Sequence, residues 1–389
     1  MIPTHRPHFS AAEERAVTDV LRSGWLGMGP RVQQFEQRIA ELLDVPHVIA
    51  VNSGTAALHL ALEVLNLQSG DEVILPSMTF VATPQAVIAA GGIPVFCDID
   101  EQTANIDIDD AMSRVTPRTR AIVPVHYGGV SCDMNELLDR AGRLNLVVIE
   151  DAAQAFASRY GGENLGTLGD IGCFSFDPIK NISCGGGGAL VTRSDQFADV
   201  LKKKRNLGID RDSWTRINSD QDWYYNVTTS GLRYHMGDMN AAIGLVQLDR
   251  LESFRARKIE IVQNYDRVFA DIEELALPDR NLPEVFPFSY YMRVLDGRRN
   301  QLASVLAQDG IGTTVRFVPN HLQPFFERTP KSSLPVTEAV YDEIITLPLY
   351  YDMTERECDA VISAVKRFFW NPCVDVPAEI ELARENPDA

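Results

Sequence analysis

With 389 residues and 45% apolar side chains, the chain can bury a sizeable core, as two domains or as one large α/β unit with a cap. Its 36 basic and 54 acidic residues give a formal charge of -18, which argues against nucleic acid or an anionic membrane as partner, so any anionic ligand must meet a local cluster of arginines. The opening MIPTHRPHFSAAEERAV lacks the basic and apolar segments of a secretory signal, no window reaches transmembrane length, and six cysteines without CxxC spacing read as free thiols; a soluble, cytoplasmic, metal-free protein is the expectation.

In chain order, short apolar β-rich runs alternate with helical patterns. HVIAV (47–51) precedes AALHLALEVL, EVILP (72–76) precedes TPQAVIAAG, and IPVFCDI precedes a predicted helix near 108–114. AIVPVHY (121–127), ELLDRAGRL and LVVIED (146–151) continue the rhythm. Continuous apolar strands joined by amphipathic helices predict a mostly parallel sheet covered on both faces, with ligand sites beyond the carboxyl ends of its strands. Asn52 to Thr55, Asp151 and Lys180 fall near such ends. From Met239 to about Phe269, apolar residues at helical spacing predict one long bridging helix. It leads to a smaller domain holding FSYYMRVL, QLASVLAQDG, TTVRFVP and RECDAVISAVKRFF. The expected division is a large domain at 1–245, a small C-terminal domain at 246–372, and an acidic tail at 373–389, solvated or loosely attached.

Four segments carry candidate chemistry. In VNSGTAALHLAL a strand reaches Ser53-Gly54-Thr55 and a helix begins, offering free N–H groups and a positive dipole end to a phosphate; an ordinary helix cap reads the same way. In PSMTFVAT, Phe80 follows a strand, placed either to lie flat on a heteroaromatic ring or to join the core. In VVIEDAAQAFAS, Asp151 ends a buried-looking strand, with Gln154 three residues on. A buried carboxylate needs a partner, which a protonated pyridine nitrogen or a helix N-terminus supplies. The fourth segment, GDIGCFSFDPIKNISCGGGGALVT (169–192), sets Lys180 between an apolar strand and four glycines. A lysine that forms a Schiff base must first lose its proton, which burial or neighbouring cations promote. Ser175 and Gly185 to Gly188 suit close backbone approach and anion contact. Lysine, acid, aromatic and phosphate cradle are together what pyridoxal phosphate requires.

From about Ile2 to Phe369 the chain resembles the sugar aminotransferases of the DegT/DnrJ/EryC1/StrS family, within the aspartate aminotransferase fold type, PLP fold type I. The matching stretches, in family order, are SGWLGMGPRVQQFE, NSGTAALHLAL, PSMTFVAT, PVFCDID, IVPVHYGG, EDAAQAFAS, GDIGCFSFDPIKNI, MGDMNAAIGLVQL, HLQPFF and LPLY. The resemblance implies a homodimer with shared active sites. It assigns Lys180 to the Schiff base and to proton shuttling, Asp151 to the pyridine nitrogen, Gln154 to the ring hydroxyl, Phe80 to ring stacking, and Gly54, Thr55 and Ser175 to the phosphate. An amino acid, by family likeness L-glutamate, would leave its nitrogen as pyridoxamine phosphate, and the second half-reaction would run backward onto a ketone.

The chain departs from the family pattern at Gly186, where an acid is usual, and at Leu232-Arg233-Tyr234-His235, where the family reads YNYR or YNYK. Arg233 is thus a candidate for the neighbouring subunit's phosphate or for a substrate anion, and His235 for substrate contact. A nucleotide-linked keto-deoxysugar is the implied acceptor, with Arg6, Arg233 and Arg316 as candidates for its diphosphate. Gly24-Trp25, His321-Leu322-Gln323-Pro324 and LPLY resemble members acting on 4-keto sugars, while Gly27 and Met28 replace a common threonine pair. The remaining readings are a 3-keto sugar or keto-cyclitol acceptor, a histidine-dependent dehydratase against which Lys180 argues, and a sensor that retains the fold without turnover.

Overall fold

The computed structural model describes residues 1–211, 214, 223–327, 329–330 and 333–370, so the acidic tail expected at 373–389 lies outside the described residues. Nine strands precede residue 193: β1 (His47–Val51), β2 (Glu72–Pro76), β3 (Ile93–Cys97), β4 (Thr119–Ile122), β5 (Val147–Asp151), β6 (Arg159–Tyr160), β7 (Glu163–Asn164), β8 (Ile171–Ser175) and β9 (Gly188–Thr192). Seven of them form one sheet in the order β1-β9-β8-β5-β4-β2-β3, and β6 and β7 pair as a separate hairpin. The pairs β3–β2, β2–β4, β4–β5 and β5–β8 are parallel, while β9 runs antiparallel to both β8 and β1. The mostly parallel α/β sheet read from the sequence is therefore present, with one reversed strand.

Alternation along the strands sends side chains to two cores. Val48, Ala50, Phe174, Ala189 and Val191 pack with Val32, Phe35 and Ile39 of the helix Pro30–Leu43 and with Ala241 and Leu245 of the helix Asp238–Asp249. Ile49, Val51, Cys173 and Leu190 face the other way, onto Ala57, Leu60 and Ala61 of the helix Gly54–Glu63. Each fully buried Leu, Ile, Val or Phe contributes roughly 1.5–3 kcal/mol relative to exposure, so a one-residue slip of any strand is strongly disfavoured.

A second, antiparallel sheet joins β10 (Leu275–Ala276), β11 (Tyr290–Val294) and β12 (Ile344–Leu347). Tyr265, Phe269, Leu302, Leu306, Val361 and Phe368, from the helices Leu251–Phe269, Arg299–Gln308 and Glu355–Trp370, share its core. Three expectations change. The stretch from Met239 is two helices, Asp238–Asp249 and Leu251–Phe269. Arg250 leaves helical geometry between them (φ -106, ψ 2), its guanidinium 2.9 Å from Glu13 and over the Phe254 ring. AIVPVHY yields a strand only to Ile122, and TTVRFVP runs as a loop with a single bridge from Thr314 to Thr346. Among the described residues no helix is long and apolar enough to cross a membrane.

Candidate active site

The carboxyl ends of β1, β5 and β8, the start of β9 and the segment after β2 open on a cavity of about 420 Å³. It gathers Gly54, Thr55, Phe80, Asp151, Gln154, Ser175, Lys180 and Arg316 of the residues singled out above, together with Gly186. Lys180 stands on the loop between β8 and β9. The neck of that loop is closed by Phe176 N–H to the Gly187 carbonyl (2.9 Å) and Cys184 N–H to the Phe176 carbonyl (3.0 Å), and Lys180 N–H donates to the Asp177 carbonyl (2.9 Å). Its Nζ lies 4.5 Å from the Phe288 ring centroid. Burial lowers the ammonium pKa to about 8; Asp151 and Asp177 oppose the shift and Arg316 adds to it. A larger share of this amine is neutral near pH 7 than of a solvated lysine, as nucleophilic attack on an aldehyde requires.

Asp151 ends β5 with 5% of its surface exposed. Its carboxylate accepts from the Thr83 hydroxyl (2.8 Å) and the Ala153 N–H (3.2 Å), both neutral donors, and burial raises its pKa. Such a carboxyl is suited to a cationic partner arriving from the cavity. The Gln154 side-chain oxygen accepts from Gly128 N–H (3.0 Å), which commits the oxygen and leaves the amide nitrogen as its donor. Phe80, 54% exposed, meets the Phe317 ring at 5.7 Å, and Asn320 fastens the two segments by donating to the Ser77 and Thr79 carbonyls.

The helix Gly54–Glu63 begins against the end of β8. Ser53 caps it, its hydroxyl accepting from Ala56 N–H (3.0 Å), and a side chain on Gly54 would place Cβ 2.7 Å from Ser175 Cβ. Glycine is therefore required for the helix terminus and the Ser175 hydroxyl to lie this close together, an arrangement able to receive an anion. Gly54→Ala is expected to cost about 1–3 kcal/mol through overpacking and to weaken phosphate-bearing ligands more than Lys180 reactivity. Thermal melts beside a pyridoxal phosphate titration would check this. Gly186 (φ 151) faces open space where a Cβ would meet nothing within 4 Å, so the missing acid leaves the cavity wider there.

Five other candidates do not line this cavity. Arg6 is exposed and borders an adjoining cleft that also touches Lys180. Trp25 donates to the Met28 carbonyl (3.1 Å) and meets Trp214 edge to face. Arg233 is exposed. His235 bridges to Val51, its Nδ1 buried without a partner, and burial lowers its pKa. His321 is held by Ser77 (2.7 Å) and Glu338 (3.3 Å).

Sequence reasoning missed Thr83, Phe288, His5 and Lys258. Thr83 alone had a local signal, three residues after Phe80. Lys258 is 6% exposed and donates to the Asn181 side-chain oxygen (3.0 Å), beside Lys180; Asn181 in turn donates to the Phe286 carbonyl (3.1 Å). Burial, reinforced by Arg316, lowers the Lys258 pKa to about 7. Between that value and the ordinary 10.5 the unfolded chain holds a proton that the folded chain lacks, so this lysine's contribution to stability rises with pH. The stability of Lys258→Met relative to wild type should accordingly be greatest near pH 7 and fall towards pH 10, read from denaturant melts of the cofactor-free protein. A pH-independent difference would contradict the shift.

The profile of the DegT/DnrJ/EryC1/StrS aminotransferase family matches residues 7–366. The chain is 38% identical over 374 residues to the spore coat polysaccharide biosynthesis protein SpsC of Bacillus subtilis, covering 94% of this chain and 96% of that one. Among solved structures it is similar to the aminotransferase TlmJ of Streptoalloteichus hindustanus, at 36% identity and TM-score 0.88 over 94% of this chain and 98% of that one. It is also similar to a protein of Streptococcus pneumoniae assigned as a sugar aminotransferase and solved with pyridoxamine phosphate, at 30% identity and TM-score 0.88 over the same shares.

A seven-stranded α/β sheet with a poised lysine and a buried acid at its strand ends defines a pyridoxal-phosphate-dependent transaminase of fold type I. The chain belongs to the DegT/DnrJ/EryC1/StrS aminotransferase family.

Proposed function

We propose that this enzyme moves the amino group of an amino acid, L-glutamate by family likeness, onto a nucleotide-linked 4-keto-deoxysugar. The observation that carries the transamination is the pairing, in one cavity, of the Lys180 amine of lowered pKa with the buried, neutrally solvated Asp151. The sugar class rests on the relatives: a polysaccharide biosynthesis protein and an assigned sugar aminotransferase cover nearly the whole chain.

The cavity residues fit pyridoxal phosphate. Gly54, Thr55 and Ser175 would hold its phosphate, Phe80 would stack on its ring, and the Gln154 amide would donate to its hydroxyl. Bound there, the cofactor supplies an aldehyde to receive the amino group and a ring to draw off electrons. Asp151 would hold the proton on the ring nitrogen, and Lys180 would move a proton between carbons as a general base and acid.

Outside the cavity, exposed Arg6 and Arg233 are the cations for the sugar nucleotide diphosphate or, for Arg233, a neighbour's phosphate, while Trp25, His235 and His321 are assigned to the acceptor's surroundings. Two copies pair, with the exposed Leu207, Trp223 and Val227 as part of the contact; light scattering checks the dimer. The substrate test is nitrogen-labelled L-glutamate against a panel of keto-sugar nucleotides and keto-cyclitols, the new amine being located by NMR. Amination of a 4-keto sugar is expected. Amination of a 3-keto sugar or a cyclitol alone would replace this assignment.

A further inference from the structure

Lys180 faces two spaces. Besides the cavity of about 420 Å³ it lines a narrow cleft of about 30 Å³, and Ile179 and Lys180 belong to both walls. Across the cleft stand His5, Asn181 and Lys258, and exposed Arg6 and Pro7 mark where it meets solvent. A polar space of this size holds about two waters. Its walls call for them. His5 Nε2 is a buried polar atom without a hydrogen-bond partner, and among the described residues Asn181 is the only hydrogen-bond acceptor for Lys258 Nζ, at 3.0 Å. Among the described residues no carboxylate lines the cleft, so no anion there pins Lys258 as an ammonium.

We propose that Lys258 relays protons between Lys180 and solvent through water held in this cleft. The proposal rests on the transaminase reading and deepens it by naming the route that resets the Lys180 amine. Lys180 must shed a proton to regain a free amine, and bound ligands fill the larger cavity when it does so. The cleft reaches the same side chain from another side. In the step, the C–H electron pair stays with the substrate and the proton passes to the Lys180 amine. An ammonium proton then crosses by way of water to the free amine of Lys258, which yields it to solvent at the cleft mouth. The two amines are matched for this: burial, reinforced by Arg316, lowers Lys258 to about 7, close to the value of about 8 at Lys180, so transfer between them is nearly level in energy. His5 stays neutral and competes for no proton, its pKa lowered to about 2 by burial and then by Arg316, Lys258 and Lys180. Lys258 does not line the cofactor cavity, so it acts through Lys180.

The test follows a label through a single turnover of the cofactor-loaded enzyme in ordinary water. L-glutamate carries deuterium on its amino-bearing carbon, and the pyridoxamine phosphate formed is weighed by mass spectrometry. An ammonium that has accepted the deuteron holds three hydrogens, so without solvent exchange at most about one third of the label is handed on. Wild type is expected to retain about 3% or less, and Lys258→Met at least about five times the wild-type amount, towards that ceiling. Lys258→Arg separates relay from anchor, because a guanidinium still donates to Asn181 but gives up no proton; it should retain label as the methionine variant does, and it stands in if that variant fails to fold. Retention equal to wild type in both variants overturns the proposal. So does wild-type washout restored by arginine, which would leave Lys258 as an anchor of the Lys180 loop alone. NMR of the cofactor-free protein with labelled lysines reads Lys258 directly, its signal identified by loss in Lys258→Met. It should titrate near pH 7, and a signal still that of an ammonium at about pH 9 overturns the relay. If wild type forms no pyridoxamine phosphate, the transaminase reading falls instead, and the NMR arm still decides whether Lys258 offers a free amine.

Discussion

Lys180→Ala is expected to leave a folded protein whose turnover falls by at least about four orders of magnitude, because under the proposed function one substitution removes both the amine that would join the cofactor and the base that would move the proton. The fold survives for reasons visible in the loop. It is held by the backbone hydrogen bonds at Phe176, Cys184 and Lys180, which alanine retains. The side chain contributes a contact with Phe288 and a charge that burial disfavours. The folded chain releases this proton near pH 8 and the unfolded chain near 10.5, so at pH 7 removal of the amine relieves an unfavourable burial. The melting temperature of the variant should equal or exceed that of wild type, which separates lost chemistry from lost structure. Borohydride reduction of the cofactor-saturated wild type should fix the pyridoxyl group on Lys180 and not on Lys258. Both lysines have a lowered pKa, but Lys258 is committed to Asn181 and does not line the cavity. A label on Lys258, or turnover within tenfold of wild type in the alanine variant, would remove Lys180 from the reaction.

The strand ends were legible in the sequence because strands buried on both faces read as unbroken apolar runs. EVILP, VVIED and IGCFS are cases of this, and each stops where a polar or special residue begins. Topology makes such ends converge, so Gly54, Asp151, Ser175 and Lys180 could be gathered from the sequence. Strand direction was not legible. GALVT is as apolar as its neighbours, yet β9 runs backward, since the closed neck of the Lys180 loop returns the chain alongside β8. The helix break at Arg250 was hidden too, because apolar spacing continues through it and no proline or glycine marks it. Tertiary approach was the least accessible. His5, Lys258, Phe288 and Arg316 are far apart in sequence and meet only through the packing of the segments that carry them. Where local residue chemistry already implies a partner, as with Asp151, the sequence was informative; where the partner comes from a distant segment, it was silent.

Asp151→Asn should reduce turnover about a thousandfold or more while leaving the protein almost as stable. The amide has the shape of the carboxylate, and its oxygen can still accept from Ala153 N–H or the Thr83 hydroxyl, so the end of β5 keeps its anchor. What disappears is the negative charge. A ring nitrogen facing asparagine has no anion to hold its proton, and without that proton the ring withdraws electrons poorly when a C–H bond must break. The raised pKa of Asp151 works in the same direction: in the absence of a cation the site resists ionisation, and an arriving pyridinium would reverse that preference. Loss of one charge-assisted hydrogen bond, roughly 1.5–3 kcal/mol, should weaken cofactor affinity by about 10- to 100-fold. The rate should fall further, because the interaction strengthens as charge moves into the ring. Cofactor titration and the single-turnover reaction with L-glutamate would measure the two losses separately. An asparagine enzyme with wild-type single-turnover rates would show that Asp151 serves only as a structural cap, and the electron-withdrawing role would then have to be sought among other cavity groups.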